Sequence, residues 1–162
     1  MSQWDNFFAA EVGASAALLG LLFVSVSINL SRILSFSALP NRALSALFVP
    51  LVVLTVSSLC LAPGQPLTLL GAEILVIGLG VWAATTRFDI QALKEIERDA
   101  PHRPRAIVTT FFNQGVTLLY VLSGLVILLN GVAGVYWLVP AILFSFVKAA
   151  LDAWVLLIEI NR

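Results

Sequence analysis

Five runs of roughly 20 apolar residues, set apart by short polar breaks, dominate this chain of 162 residues. They cover residues 7–30, 43–62, 67–86, 106–129 and 136–160. An α-helix rises about 1.5 Å per residue, so each run is long enough to cross a hydrocarbon layer about 30 Å thick. The breaks carry stop signals: Pro40 with Arg32 and Arg42, then Pro63-Gly64-Gln65-Pro66, then Asn130-Gly131. The longest break, 87–105, ends in Pro101-His102-Arg103-Pro104. Short turns make runs two and three one hairpin, and runs four and five another. Lipid must be the main solvent, because 60% of the residues are apolar and only 11% charged, against about 45–50% and about 25% in soluble domains. A chain of this size keeps about 30% of its unfolded surface exposed, and a soluble fold would present that surplus as large apolar patches. The expected fold is all-α: a polytopic integral membrane protein, one transmembrane domain over 1–162, with five helices in a bundle.

The charges supply an orientation. Eight of the nine basic residues (Arg32, Arg42, Arg87, Lys94, Arg98, Arg103, Arg105 and Arg162) fall on one side of the runs, and only Lys148 lies within one. The positive-inside rule makes that side cytoplasmic, with the N-terminus outside and the C-terminus cytoplasmic. The leading residues carry Asp5 and no positive charge. They lack the basic region of a cleavable signal, so the first run is expected to remain in the mature protein. Trp4 and Trp137 fall at the outer headgroup level, Trp82 and Trp154 at the inner one, as interfacial aromatics do.

Several functions are excluded or disfavoured. Zero net charge argues against nucleic acid as a partner. A lone Cys60 rules out a disulfide framework, and with His102 the only histidine no familiar metal or haem spacing exists. HExxH, GxSxG, P-loop and dinucleotide fingerprints are absent, so neither an enzyme nor a cofactor is expected. The segment 87–105 holds nine of the 18 charged residues, with a net charge of about +1 that attracts anionic lipid weakly. Phe88, Ala92, Leu93 and Ile96 recur there at helical spacing. This predicts that the third span continues as a cytoplasmic linker helix, its apolar stripe packed under the bundle or at the headgroups and its charges on the opposite face.

Polar groups inside the runs are the candidate site, since ionisable side chains at membrane depth are costly and mark function or a specific packing bond. The last run carries Ser145, Lys148, Asp152 and Glu159 on one face. Lys148 and Asp152, four apart near the midplane, are spaced for a salt bridge, and Glu159 reaches the inner surface. The first run has a polar face of Glu11, Ser15, Ser25 and Asn29 opposite a helix-packing face of Ala9, Gly13, Ala16 and Gly20. Glu73 adds a carboxylate towards the outer side of the third run, and Thr110, Asn113, Gln114 and Thr117 add amides and hydroxyls in the fourth. Pro50 interrupts the second run. Two readings stay open: the groups satisfy one another, at about 0.6 kcal/mol per interhelical bond, or they line an ion track.

The segment from Phe7-Phe8-Ala9-Ala10-Glu11-Val12-Gly13 into Phe23-Val24-Ser25-Val26-Ser27-Ile28-Asn29-Leu30 resembles a group of small bacterial polytopic membrane proteins. Val139-Pro140 and Asp152-Ala153-Trp154 in the last run are similar to the same group. The resemblance covers the two terminal runs and implies a bacterial inner (plasma) membrane location; it assigns no activity and no site residue. The expected function is a homo-oligomer lining a cation or proton pathway through these carboxylates and Lys148. The alternative is a non-conducting accessory protein that binds a membrane or cytoplasmic protein partner through 87–105.

Overall fold

The computed structural model describes residues 2–35, 39–96 and 103–160, and the side chains of 3–35, 39–40, 43–90 and 109–154. All regular structure among the described residues is helical: α1 (Asp5–Ile28), α2 (Leu30–Leu34), α3 (Leu39–Cys60), α4 (Leu67–Ile96), α5 (Arg103–Asn130) and α6 (Val135–Ile160). Short 3-10 turns occupy Ser2–Trp4 and Gly131–Gly134. Four helical stretches are long and apolar enough to cross a membrane: Asp5–Ile28, Ala43–Cys60, Leu67–Ile90 and Thr109–Trp154. The last is 46 residues long and contains most of α5 and α6 with the turn between them. This is a multi-pass pattern.

The surface has the distribution such a chain needs. On α5, Phe111 is 75% exposed while Asn113, two residues on, is 8% exposed. On α1, Leu21, Phe23, Val24 and Ile28 point outwards while Ser15 is wholly buried. Exposed large apolar side chains beside buried polar ones are compatible with a hydrocarbon surround, which cannot supply the partners polar groups need.

The chain divides into two compact units, Met1–Gly64 with Ile142–Arg162, and Gln65–Ala141. In the first, α1 packs on α3, with Phe8, Ser15 and Leu22 buried at heptad spacing. Asn29 separates α1 from α2, its side-chain amide donating to the Ser25 carbonyl at 2.9 Å. Val26, Ile33, Leu39 and Ala43 then close a small apolar cluster. Pro50 is buried inside α3, which continues through it to Cys60.

In the second unit α4 lies antiparallel along α5, and glycines let the backbones meet. A Cβ on Gly78 would sit 2.9 Å from the Val121 nitrogen, and one on Gly71 would sit 3.0 Å from the Leu128 nitrogen. From α5, Gly124 presses on the Leu75 backbone. Small residues allow this approach, and dispersion over the long contact holds the pair. The Ser123 hydroxyl donates to the Gly134 carbonyl at 2.9 Å, tying the following 3-10 turn to α5.

Helix α4 runs on to Ile96, so the third span does continue beyond its apolar part. Its C-terminal part is turned differently from expectation, however. Asp89 is buried, whereas Phe88 is half-buried and Arg87 exposed. The charges of this segment therefore do not all share one outward face. The side chains of Ala92, Leu93 and Ile96, and all of His102, lie outside the described residues.

Candidate functional site

The two units each hold a polar cluster. In the first, the Lys148 ammonium donates to the Asp152 carboxylate at 2.5 Å, an i,i+4 pair one helical turn long. Lys148 is 6% exposed and lies on the buried face of α6 with Leu138, Ala141, Ile142, Ser145 and Ala149. Asp152 is more open, at 26% for its side chain. The pair cancels most of a charge that α6 could not otherwise hold among apolar neighbours.

The polar face of α1 is used locally. The buried Ser15 hydroxyl donates to the carbonyls of Glu11 and Val12, at 2.6 and 3.1 Å. Asn29 bonds Ser25 in the same way, so neither reaches another helix. Glu11 is half-buried, and its carboxylate has no hydrogen-bond or ion-pair partner among the described residues. Ala9, Gly13, Ala16 and Gly20 are exposed, and a Cβ on Gly13 or Gly20 would meet no atom within 4 Å. Within one chain, the close approach expected of that face is made instead by the glycines of α4 and α5.

The second unit carries the richer constellation. Asp89 on α4 is 8% exposed and faces two amides of α5. Asn113 Nδ2 donates to Asp89 Oδ1 at 2.8 Å, and Gln114 Nε2 donates to Asp89 Oδ2 at 3.1 Å. Gln114 Nε2 also donates to the Thr86 hydroxyl at 3.2 Å, and Gln114 Oε1 accepts from the Trp82 indole at 2.7 Å. Trp82, Thr86 and Asp89 share a face of α4 at spacings of four and three. Thr85 and Thr117, both buried, bond to carbonyls of their own helices. Asn113 Oδ1 is buried and has no hydrogen-bond partner among the described residues.

Glu73 stands near the opposite end of α4, where its carboxylate accepts from the Gln65 amide of the preceding loop. The sequence-derived site residues thus separate. Asn113 and Gln114 come together around Asp89, Glu73 is held by Gln65, and Lys148 pairs with Asp152. Sequence reasoning missed Asp89, Trp82, Thr86 and Gln65 as members. The signal for Asp89 was present, since the helical period through Trp82 and Thr86 leads to it; ending the span at Thr86 placed it in the linker.

Among the described residues, no three His, Cys, Asp or Glu side chains converge to hold a metal ion. What the α4–α5 cluster offers is a carboxylate whose two oxygens each accept from a neutral amide, with a spare amide oxygen beside it. Comparison with protein-family models, with curated proteins and with solved structures returned no match.

Proposed function

We propose that the chain crosses a bacterial inner membrane five times, N-terminus outside and C-terminus cytoplasmic, and that as a homo-oligomer it lines a cation or proton pathway. The observation that carries this reading is the Asp89 carboxylate. It is buried between two apolar helices and held by neutral donors only, with no cationic partner among the described residues. A structural ion pair such as Lys148–Asp152 neutralises itself. Asp89 does not, and an acid kept this way near the end of an apolar span is the usual mark of an ion or proton route. On the proposed orientation it stands at the cytoplasmic mouth, with Glu73 towards the outer end of the same helix.

Purified protein in liposomes, assayed for cation and proton flux, tests the reading. Flux above that of empty liposomes, abolished by Asp89→Asn and altered by Lys148→Met, is the expected result. Flux equal to that of empty liposomes removes it.

One observation favours the second reading, a non-conducting accessory protein. Helix α4 continues from Ile90, where its apolar stretch ends, to Ile96, projecting a charged segment beyond the span. A partner that co-purifies in fixed stoichiometry and is lost on deleting 91–102, with no flux in liposomes, would establish it.

A further inference from the structure

The donors and acceptors around Asp89 are not equivalent, and their inequality dictates where a proton can go. The Trp82 indole is a donor with no acceptor capacity. It therefore fixes the Gln114 amide with Oε1 towards the indole and Nε2 towards Asp89 Oδ2. Turning that amide over would set N–H against N–H at Trp82 and oxygen against oxygen at Asp89. Asn113 has no such lock. Its Nδ2 donates to Asp89 Oδ1, and its Oδ1 is buried with no donor among the described residues. A half-turn of this one amide costs no existing bond at Oδ1 and presents an acceptor to Asp89 in place of a donor.

We propose that Asp89 Oδ1 is a proton-binding site whose occupancy is read by a half-turn of the Asn113 amide, while Trp82 holds Gln114 fixed. The inference rests on reading the α4–α5 cluster as the ion-handling site, and it names the proton as the ion. A proton from the aqueous phase converts the carboxylate to the acid; no other bond forms or breaks except hydrogen bonds. In the ionised state Oδ1 accepts from Asn113 Nδ2. In the protonated state Oδ1–H donates to Asn113 Oδ1, which satisfies the oxygen now left bare. Oδ2 accepts from Gln114 in both states, so the proton is confined to Oδ1.

Among the described residues, no other charged group bonds to Asp89. From α5, the described groups next to Asp89 are the neutral side chains of Asn113 and Gln114, with Thr117 one turn on and committed to its own helix. On α4 the neighbours are Thr86, bonded to Gln114, and Arg87, which is exposed. Among the described side chains of α5, the next titratable group is the buried Tyr120, two turns from Asn113.

The test uses the full chain in lipid nanodiscs, with carbon-13-labelled Asp for infrared spectra and nitrogen-15-labelled amide side chains for NMR, titrated with acid. The expected result is a carboxylic-acid carbonyl band that is absent in Asp89→Asn. The Asn113 side-chain signals shift with the same midpoint, while the Gln114 signals stay in place. In Asp89→Asn the Asn113 signals hold the acid-state position at every pH, because the substituted amide donates as the acid does. Trp82→Phe frees Gln114, whose signals then shift as well. If Asp89→Asn does not fold, the wild-type and Trp82→Phe titrations decide alone. Asn113 signals unmoved while Asp89 protonates, or Asp89 ionised throughout the folded range, overturn the proposal. Flux is scored separately. Amide turning without flux keeps the proton site and removes conduction, whereas flux without amide turning removes this site and keeps conduction.

Discussion

Gly124 of α5 lies directly against the backbone of Leu75 in α4: a Cβ added at 124 would stand 2.5 Å from the Leu75 nitrogen and 2.7 Å from its Cα. With Gly71 and Gly78 answering from α4, this seam fixes how closely the two helices approach. The same approach brings Asp89 within reach of short amide side chains. Asn113 has one methylene between Cα and amide, so its 2.8 Å bond to Asp89 exists only if the backbones are near. Packing along the glycines and polar chemistry at the end of the helices are one structural fact.

Gly124→Ala should destabilise the chain by about 1–3 kcal/mol, the usual cost of overpacking, because the obstructing atoms are backbone and cannot rotate away. Gly80→Ala is the control. It lies on the same α4–α5 pair but a Cβ there meets nothing within 4 Å, so the change should be neutral or stabilising by up to about 1 kcal/mol. Thermal unfolding of both variants in one detergent checks the contrast. Equal midpoints would show that the seam does not set the packing.

Lys148→Met should cost about 3 kcal/mol, since it leaves Asp152 with an uncompensated charge next to apolar neighbours. Removing both charges, with Lys148→Met and Asp152→Leu together, should restore most of that loss. A double-mutant cycle by unfolding measures the coupling; additive losses would mean the two side chains act independently.

The all-helical, apolar character of the chain and the Lys148–Asp152 pair were legible in the sequence because each follows from local geometry: about 20 apolar residues for a span, and a four-residue step for an ion pair on one helix. The α4–α5 seam was not. Gly13 and Gly20 belong to the same kind of small-residue pattern as Gly71, Gly78 and Gly124, yet among the described residues a Cβ on the first two would meet nothing within 4 Å, whereas the latter set meets the backbone of a neighbouring helix. Such a pattern says which helices are able to approach closely, and the choice depends on what faces them. Asp89 escaped for a related reason. Charge alone suggested water, but Asp89 sits three residues after Thr86 on the face that α5 covers, while Arg87 points away. Short turns suggested which spans pair, whereas α4 packs on α5 across the longest connection.

Gly131 follows α5 with φ +64°, a left-handed conformation that an L side chain reaches at a cost of about 1–2 kcal/mol. The space around it is not the obstacle, because the nearest atom to an added Cβ is Leu67 Cδ1 at 3.8 Å. Gly131→Ala should therefore lose stability through the backbone alone, and Gly131→Asn should recover part of it, since Asn tolerates this region. Unfolding midpoints in the order Gly, Asn, Ala are expected; Ala equal to Gly would contradict the strain argument.

Two fully buried serines should respond differently to the same substitution. Ser123 donates across to the Gly134 carbonyl, which belongs to the following turn. Ser123→Ala strips that carbonyl of its side-chain partner and should cost about 1 kcal/mol. Ser15 donates only to Glu11 and Val12 carbonyls of its own helix. Those carbonyls keep their helical N–H partners when the hydroxyl goes, so Ser15→Ala should stay within about 0.5 kcal/mol of the parent. Unfolding of the two variants, with amide exchange read at Gly134–Tyr136, checks both halves. A large loss at Ser15 would mean that its hydroxyl serves something beyond α1, and would return it to the ion pathway.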